Sequence, residues 1–356
     1  MKYSLSGLAI RLVVTLPVLI IHLIFFSCTP SHSSHGPESE YVLGTVCLVN
    51  LFDQGKPELY TRVFNRLREL EDILSANRGG TDLDNVNANA GKAPVQVRPE
   101  LIEVLEKALE YSGKSSNAFD PAIGPLVKLW GIGTEKARVP DGEEISKALE
   151  LMDHRDIEID KNKRTVFLKR SGMALDLGAI AKGYAADEAV KILAEEGVER
   201  GIIDLGGNIF AFGEKRAERN TKDDKSYWRI GIQDPREERG AFIGILNVKN
   251  SSVVTSGIYE RFFEEDGKCY HHILSTVSGY PVDNGLLSVT IKADRSIDAD
   301  ALSTAAFALG WERGSSLVGS VNGAEGIFIF EDLSVRITGD LEKDFTLTSA
   351  DYHREH

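Results

Sequence analysis

The sequence has few cysteines and no concentration of positive charge. Only three cysteines occur in 356 residues, with no Cys-x-x-Cys pair and no Cys/His cluster, so no structural zinc site is predicted. Acidic residues outnumber basic residues by 54 to 41, the formal net charge is −13, and no basic run occurs. This charge balance predicts no nucleic-acid partner. A ligand that carries phosphates would need a local metal ion or a helix terminus to offset the acidic surface.

The rest of the composition is ordinary for a globular protein. Apolar residues make up 42% of the chain and charged residues 27%, and the length suffices for one large domain or two ordinary ones. Cys47 and Cys269 lie in apolar or aromatic surroundings, and we predict that both are buried free thiols. Their spacing does not support a disulfide, although it does not exclude one.

The N-terminus has the pattern of a targeting segment. Lys2 and Arg11 supply positive charge, and an apolar run follows at 12–26. The run is too short and irregular for a membrane span, and it stops at Ser27, directly before Cys28. A small residue before a cysteine at this point resembles a bacterial lipoprotein signal.

The lipoprotein interpretation divides the chain into three parts. Residues 1–27 would be the signal peptide, 28–40 a flexible tether that begins at the lipidated Cys28, and 41–356 the folded domain. The protein would then be anchored to the bacterial inner membrane and face the periplasm or extracytoplasmic side. The alternative is an uncleaved anchor with an incidental cysteine, which places the folded part on the same side.

Hydrophobic periodicity predicts an α+β fold with helices before residue 201 and mainly strands after it. Helices are predicted at 57–76, 99–112, 179–196, 299–309 and 314–321; strands at 41–52, within 201–291, at 326–330 and at 335–338; a hairpin at 157–169; a long polar loop at 77–93; and a solvated charged loop at 214–225. We expect a single unit with a mixed or antiparallel sheet flanked by helices.

The segment DLGAIAKGYAAD, residues 176–187, has the pattern of a phosphate-binding turn. Asp176 ends an apolar run, Gly178 supplies a turn, and Lys182 lies in the first turns of the helix that follows. A helix N-terminus offers unpaired N–H groups and partial positive charge, and the lysine adds a full charge. The segment therefore predicts a pocket for a phosphorylated ligand, although such turns are common in α/β proteins.

Two further segments carry side chains suited to metal binding or catalysis. Asp300 and Thr304 are four residues apart on a predicted helix, so both lie on one face, and their oxygens suit Mg²⁺ or Ca²⁺. The alternative is a helix cap and an ordinary helical threonine. In the predicted strand pair 255–281, joined by a turn at 266–267, adjacent histidines face opposite sides. One of them is a functional candidate, and the alternative is that both are structural.

Together these segments resemble one family, the FAD:protein FMN transferases of the ApbE type. The resemblance covers roughly Gly44 to Gly310 and rests on the ordered series GT, FDPAIGPLVKLWG, DLGAIAKGYAAD, DLGGNI, TSGIYER, HHI and ADALST. Each piece is modestly specific, whereas their order is highly specific. The resemblance implies an ApbE-like fold with two lobes around an FAD cleft.

The resemblance also implies a set of site residues. The Mg²⁺ ligands would be the carbonyl of Ala179 and the side chains of Asp300 and Thr304, with Ser303 where some members have an additional acid. Residues that would contact FAD are Leu43, Asn77, Ala118, Phe119, Asp120, Asp176, Lys182 and Ile273. One departure from the family pattern is Ser275-Thr276, where many relatives have Asp-Pro, which leaves the geometry of this turn open.

The implied reaction is a Mg²⁺-dependent transfer of FMN from FAD to a Ser or Thr hydroxyl of a partner protein, with release of AMP. Asp300 and Lys182 would stabilise charge on the pyrophosphate, and His272 would be the general base, with an ordinary pKa near 6.5. Two alternatives stay open. One is a FAD pyrophosphatase that uses the same residues with water as the acceptor, and the other is a non-catalytic flavin-binding lipoprotein, which would not need a metal beside the pyrophosphate.

Overall fold

The computed structural model describes residues 36–215 and 226–355, in which helices and strands alternate along the chain. The helices are α1 (Pro57–Leu74), α2 (Asp82–Ala88), α3 (Pro99–Lys114), α4 (Gly124–Trp130), α5 (Gly142–Glu150), α6 (Ala181–Glu195) and α7 (Ser296–Gly319). The strands are β1 (Glu38–Val42), β2 (Thr45–Leu51), β3 (Val95–Gln96), β4 (Ile157–Asp160), β5 (Thr165–Leu168), β6 (Gly201–Leu205), β7 (Asn208–Phe212), β8 (Trp228–Gln233), β9 (Phe242–Val248), β10 (Ser251–Gly257), β11 (Phe262–Glu265), β12 (Lys268–His271), β13 (Leu286–Ala293), β14 (Glu325–Phe330), β15 (Ser334–Ile337), β16 (Phe345–Leu347) and β17 (His353–Arg354).

The main sheet has nine strands in the order β1-β2-β6-β7-β10-β13-β14-β15-β17. All its neighbours pair antiparallel except β15 and β17, which are parallel. Smaller sheets are formed by β16-β9-β8, by β3-β5-β4 and by the hairpin β11-β12. The α+β prediction with a mixed or antiparallel sheet is therefore confirmed. All described residues belong to one compact unit, so the lobes expected around a cleft are parts of a single fold.

The main sheet buries a core on each face, as the alternation of side chains along a strand requires. On β14, Phe328 joins the larger core with the helices, whereas Ile327 and Ile329 join the core beneath the β16-β9-β8 sheet. A third, smaller core around Trp130 joins α4 and α5 to the segment after β12. The helical face of the sheet thus carries α6 and α7, the two helices that hold the predicted phosphate and metal residues.

Several element boundaries differ from the sequence-based expectations. The single strand predicted at 41–52 is the hairpin β1-β2, with a turn at Leu43 and Gly44, whose φ angles are 57° and 70°. Its first strand begins at Glu38, inside the predicted tether. The polar loop predicted at 77–93 contains α2, whose first turn is capped because Thr81 Oγ1 accepts the N–H of Asp84 at 2.9 Å. Most of the charged loop predicted at 214–225 lies outside the described residues.

Other boundaries follow the sequence closely. The hairpin predicted at 157–169 is β4-β5, and the turn predicted at 266–267 joins β11 to β12 with positive φ at Asp266 and Gly267. Two helical segments were predicted between 299 and 321, and α7 has a kink between them at Gly310, where φ is 74°. Asn284 stabilises this kink, because its amide donates to the carbonyl of Phe307 at 2.7 Å.

The cysteines confirm part of the sequence-based expectation. Cys47 and Cys269 are both free. Cys47 is fully buried, and its thiol donates to the carbonyl of Val42 at 3.3 Å. The predicted burial of Cys269 is wrong, because the residue lies exposed on the β11-β12 hairpin.

Cys28, the proposed signal peptide and most of the tether lie outside the described residues. Among the residues that are described, no helix has the length and apolar character needed to cross a membrane.

Helices α6 and α7 are in close backbone contact at Gly183. A Cβ atom at this position would clash with the carbonyl oxygen of Ser296 and would lie 2.7 Å from the Cα of Ile297. Only glycine allows this approach, because both opposing atoms belong to the backbone and cannot move aside. The contact sets the distance between the two helices that carry the predicted site.

We expect Gly183→Ala to lower the melting temperature, because the added methyl group would force α6 and α7 apart, at a cost of about 1–3 kcal/mol. The matched control is Gly113→Ala in α3, where a Cβ would meet nothing within 4 Å. This control should leave stability unchanged or raise it, because alanine is the better helix former. Thermal unfolding of both variants tests the expectation, and equal melting temperatures would contradict it.

Candidate active site

The turn before α6 is held by its own aspartate. The backbone N–H of Asp176 donates to the carbonyl of Pro121 at 2.9 Å, and its carboxylate accepts the N–H of Gly178 at 2.8 Å. Desolvation raises the pKa of Asp176, while the Gly178 N–H and the charge of Arg261 act in the opposite direction. The predicted order of acid, glycine turn and helix with lysine is therefore present, and the acid shapes the turn.

The carbonyl of Ala179 is left without a backbone partner. In a continuous helix the N–H of Gly183 would donate to it, but this N–H donates to Asp300 Oδ2 at 2.8 Å. Within the described residues, no N–H or O–H group donates to the Ala179 oxygen. A backbone carbonyl of this kind normally has a partner in a folded protein, so this oxygen is available to a ligand. The same N–H brings the Asp300 carboxylate to this turn.

Asp300 is buried but is not neutralised by an ion pair. Its exposed fraction is 4%, and burial raises its pKa, while the charge of Lys182 and the N–H of Gly183 act in the opposite direction. Among the described residues, neither Asp300 nor Lys182 forms an ion pair, and the Lys182 ammonium makes no hydrogen bond. Because an unpaired buried carboxylate is costly, the site favours an additional cation at Asp300.

Thr304 is oriented by a serine from the neighbouring sheet. Ser303 Oγ donates its single proton to the carbonyl of Asp300 at 2.9 Å, so Ser256 must donate to Ser303 Oγ at 2.8 Å. Ser256 then has no proton left, and Thr304 donates to it at 3.1 Å. The lone pairs of Thr304 stay free for a ligand. The hydroxyl of Ser303, by contrast, both donates and accepts within the fold.

The donor set fits a hard cation. The Asp300 carboxylate, the Ala179 carbonyl and the Thr304 hydroxyl are all oxygen donors, the class that Mg²⁺ prefers. The described residues contain no group of three or more His, Cys, Asp or Glu side chains that could hold a metal ion. A site with one carboxylate and neutral oxygens leaves coordination positions for water and for the phosphates of a substrate, as is usual for Mg²⁺.

His272 lies directly after β12 with a defined proton position. Its Nδ1 is 3.2 Å from the carbonyl of Arg261, which can only accept, so Nδ1 carries the proton and Nε2 keeps its lone pair. Burial and the charge of Arg261 lower the pKa of His272 to about 3. The expected pKa near 6.5 is therefore wrong, and the imidazole is neutral at physiological pH.

Charge interactions connect the separate parts of the site. Burial lowers the pKa of His272, and the charges of Arg261 and Lys182 act in the same direction. Burial raises the pKa of Asp176 and of Asp300, and the charge of Arg261 opposes the first rise while that of Lys182 opposes the second. Together with the hydrogen bonds of Gly183 to Asp300 and of His272 to Arg261, these interactions indicate that the turn before α6, the end of β12 and the first turns of α7 lie near one another.

Comparison with known proteins agrees with this geometry. The family model described as "ApbE family" matches residues 43–328. The chain belongs to the ApbE family. A FAD:protein FMN transferase of Treponema pallidum is 42% identical over 313 residues, covering 85% of this chain and 86% of the relative. One from Klebsiella pneumoniae is 37% identical over 314 residues, covering 88% and 95%.

Solved structures show the same relationship. The ApbE protein of Thermotoga maritima superimposes with a TM-score of 0.77 at 29% identity, covering 86% of this chain and 98% of that one. The flavin transferase ApbE of Vibrio cholerae gives a TM-score of 0.75 at 26% identity, with the same coverage. The resemblance predicted from the motif series is confirmed, and so is the ApbE-like fold.

In this ApbE-family protein, two of the predicted FAD contacts have side chains that serve the fold. Phe119 is 5% exposed and packs edge-on against Tyr111. The Asp120 carboxylate accepts the N–H of Ala122 at 2.8 Å and the N–H of His154 at 3.3 Å. These side chains are therefore engaged within the fold, and the predicted contacts of Ala118, Phe119 and Asp120 with FAD stay predictions.

The other predicted FAD contacts occupy turns and strand ends. Leu43 lies in the β1-β2 turn and is partly buried against the main core. Asn77 is exposed after α1, where its N–H donates to Ser75 Oγ at 3.2 Å. Ile273 is buried next to His272. None of these three positions is fixed by a contact that shows its ligand, so their predicted roles stay predictions.

The departure at Ser275-Thr276 preserves a capped turn. Ser275 Oγ accepts the N–H groups of Val277 and Ser278 at 3.2 Å and 3.1 Å, which are the bonds that an aspartate would make at this position. Thr276 donates to the carbonyl of Asn117 at 2.8 Å and so ties the turn to the segment before the predicted FAD contacts. The turn geometry that the sequence left open is therefore stable with serine and threonine.

The sequence did not identify Gly183, Ser256 or Arg261 as parts of the site. Each lies in a recognised segment: Gly183 follows Lys182, while Ser256 and Arg261 belong to TSGIYER. Their contributions depend on contacts between distant parts of the chain, and no sequence pattern shows which backbone N–H or hydroxyl faces Asp300 or Thr304.

Proposed function

We propose that this protein is a Mg²⁺-dependent FAD:protein FMN transferase, which moves FMN from FAD to a Ser or Thr hydroxyl of a partner protein and releases AMP. Membership of the ApbE family and the names of its relatives support the reaction. The observation that carries the proposal is the unpaired carbonyl of Ala179 beside the buried carboxylate of Asp300.

The reaction needs charge stabilisation more than covalent catalysis. The acceptor hydroxyl oxygen attacks the phosphorus on the FMN side of the pyrophosphate, and the bond to the bridging oxygen breaks, so AMP leaves with that oxygen. When bound at Ala179, Asp300 and Thr304, Mg²⁺ would neutralise charge on the pyrophosphate oxygens. Lys182 contributes a further positive charge, since no described residue pairs with its ammonium.

The proton of the acceptor hydroxyl requires an unprotonated base. Nε2 of His272 holds a lone pair because Nδ1 donates to the carbonyl of Arg261. A base whose pKa is about 3 is weak, so we expect His272 to orient the hydroxyl and to accept its proton late, as the phosphorus–oxygen bond forms.

One incubation separates transfer from the two alternatives. The protein is mixed with FAD, Mg²⁺ and a candidate acceptor protein, and the products are analysed by intact mass and by chromatography of nucleotides. Release of AMP together with an acceptor heavier by one FMN less one water supports transfer. Release of AMP and free FMN indicates a pyrophosphatase, and FAD bound but intact indicates a flavin-binding protein. An acceptor whose target Ser or Thr is replaced by Ala is the control.

We also propose that the protein is a lipoprotein, anchored through Cys28 to the inner membrane and facing the periplasm or extracytoplasmic side. The supporting pattern is the charged start, the apolar run and the small residue before Cys28. In this proposal residues 1–27 are removed, the segment from Cys28 up to Glu38 tethers the protein, and the fold that begins with β1 at Glu38 acts on the acceptor.

Cys28→Ala is expected to release the protein from membranes or to leave its signal uncleaved, because the lipid chains that anchor it would be missing. Metabolic labelling of the host cells with a fatty-acid probe, followed by fractionation, measures this. Cys269→Ala is the control, since Cys269 is a free, exposed thiol within the fold and should not affect labelling. A wild-type protein without label would refute the proposal.

A further inference from the structure

The N-terminus of α7 is capped by a side chain from another helix. Asp187 lies on α6, and its two carboxylate oxygens accept the N–H of Ser296 at 2.7 Å and the N–H of Ile297 at 3.1 Å. The residue at the N-cap position of α7, Arg295, makes no cap with its own side chain. The first N–H groups of a helix have no partner within the helix, so Asp187 supplies the partners that α7 lacks.

The acidic residue in the first turn of α7 itself, Asp298, is engaged elsewhere. Asp298 accepts the hydroxyl of Tyr111 at 2.7 Å and lies 3.3 Å from Lys107 Nζ, both on α3. Asp187 is therefore the carboxylate that holds this helix end against α6. Its side chain is 18% exposed, and Arg295 Nε lies 3.8 Å away.

The capped turn is also fixed from the sheet. Ser296 Oγ donates to Asn208 Oδ1 on β7 at 2.6 Å and accepts from Ser252 Oγ on β10 at 2.8 Å. The first turn of α7 thus contacts α6 on one side and two strands on the other.

This junction sets where Asp300 lies. Asp300 is four residues after Ser296, one helical turn further along the same face. Its carboxylate meets the N–H of Gly183, which is four residues before Asp187 on the same face of α6. The two helices are therefore joined twice, one turn apart, by a carboxylate of one helix and backbone N–H groups of the other. The junction between Gly183 and Asp300 leaves the Ala179 carbonyl without an N–H partner.

We propose that Asp187 is a positioning residue for the Mg²⁺ site: its carboxylate holds the first turn of α7 on α6, so that Asp300 reaches Gly183 and the carbonyl of Ala179 stays free. This inference rests on the proposed function. Asp187 itself contacts neither FAD nor the cation. It acts through the position of α7, as outer-shell groups around metal sites do.

Asp53 is a matched control within the same chain. It is 7% exposed and accepts the N–H groups of Glu199 and Arg200 at 3.2 Å and 3.1 Å, with Arg200 Nε at 3.9 Å. Like Asp187, Asp53 therefore accepts two consecutive backbone N–H groups and lies near the Nε of an arginine. Asp53 lies just after β2, beyond the pair formed by Leu51 and Gly201. Cys47 lies near the other end of β2; burial raises its pKa to about 12 and the charge of Lys182 opposes this rise, so Lys182 lies toward that end of the strand. Loss of this carboxylate should cost stability alone.

The test measures Mg²⁺ binding as well as turnover. Mg²⁺ is titrated calorimetrically into the full protein with FAD present, for the wild type, Asp187→Ala, Asp187→Asn, Asp53→Ala and Asp53→Asn, and melting temperatures are recorded. For Asp187→Ala we expect the Mg²⁺ dissociation constant to rise about 10- to 100-fold. Asp187→Asn keeps one acceptor oxygen and should recover part of this affinity. Both Asp53 variants should bind Mg²⁺ like the wild type, even where they melt earlier.

Turnover gives a second readout. Asp187→Ala should require more Mg²⁺ for half-maximal rate, with a smaller change in the KM for FAD at saturating Mg²⁺. If the Asp187 and Asp53 variants lose stability equally and bind Mg²⁺ equally well, Asp187 is a structural cap only and the inference is overturned. Should Asp187→Ala fail to fold, unchanged Mg²⁺ affinity in Asp187→Asn would overturn it as well. A wild type that binds Mg²⁺ but transfers no FMN would refute the proposed function and leave this inference standing.

Discussion

Asp300→Ala is expected to abolish FMN transfer and FAD hydrolysis together. Asp300 is the only carboxylate in the proposed Mg²⁺ set, and it also holds the N–H of Gly183 away from the Ala179 carbonyl. Its loss removes charge stabilisation that every acceptor needs, including water, so the loss should be at least about 10²–10³-fold, the usual effect of removing one group that stabilises transition-state charge. AMP release, measured with and without an acceptor protein, checks both reactions.

Thr304→Ala is expected to have a smaller effect on activity than Asp300→Ala. Thr304 offers a neutral oxygen, and Ser256 and Ser303 would stay hydrogen-bonded to each other without it. We expect Thr304→Ala to weaken Mg²⁺ binding and to recover activity when Mg²⁺ is raised, whereas Asp300→Ala should not recover. Transfer by Asp300→Ala at the wild-type rate without added metal would contradict the metal site. Asp300 would then be a residue that joins α7 to α6 and nothing more.

The local parts of this site could be predicted because they depend on spacing along the chain. Helical periodicity places Asp300 and Thr304 on one face, and an apolar run that ends in Asp176 before a glycine indicates the turn that leads to Lys182. The structure shows these features where the sequence placed them. The family resemblance added the carbonyl of Ala179, which no side-chain pattern reports.

The remaining parts could not be predicted because they depend on tertiary contacts. Ser256, 48 residues earlier in the chain, orients Thr304 from a strand. The N–H of Gly183 donates to the carboxylate of Asp300 and not to the carbonyl of Ala179. The sequence predicts the unperturbed pKa near 6.5 for His272, whereas partial burial and the charge of Arg261 lower this pKa to about 3. Such effects require knowledge of which groups meet in the folded chain.

The fold shows the same division between local and tertiary information. The sequence pattern predicts one strand where the β1-β2 hairpin lies, because an apolar Leu43 occupies the turn. It predicts a loop where helix α2 lies, because only two of the seven residues of this helix, Leu83 and Val86, are buried apolar side chains. Short elements of this kind are fixed by packing against the core and carry little periodicity of their own.

His272→Ala is expected to slow FMN transfer about 10²-fold, the lower end of the range for loss of a general base, because a base of pKa near 3 is weak. FAD binding and Mg²⁺ affinity should change little, since His272 belongs to neither set. Stopped-flow or single-turnover measurement of acceptor labelling, together with FAD titration, separates the two effects. Phe262→Ala on the β11-β12 hairpin, an exposed side chain, is a control for disturbance of this segment.

The pH dependence gives the sharper test of the same residue. Because the pKa of His272 is lowered from 6.5 to about 3, the imidazole stays neutral between pH 5 and 8, and its protonation cannot slow the wild type in that range. The ratio of wild-type to His272→Ala rates should therefore stay constant from pH 5 to 8. The same shift affects the stability of the fold. As the pH falls below 6.5, His272 takes up a proton in the unfolded chain but not in the folded chain, so the free energy of unfolding decreases. A rate ratio that collapses with a midpoint near 6.5 would show an ordinary imidazole, and the assignment of a neutral Nε2 acceptor beside Arg261 would be wrong.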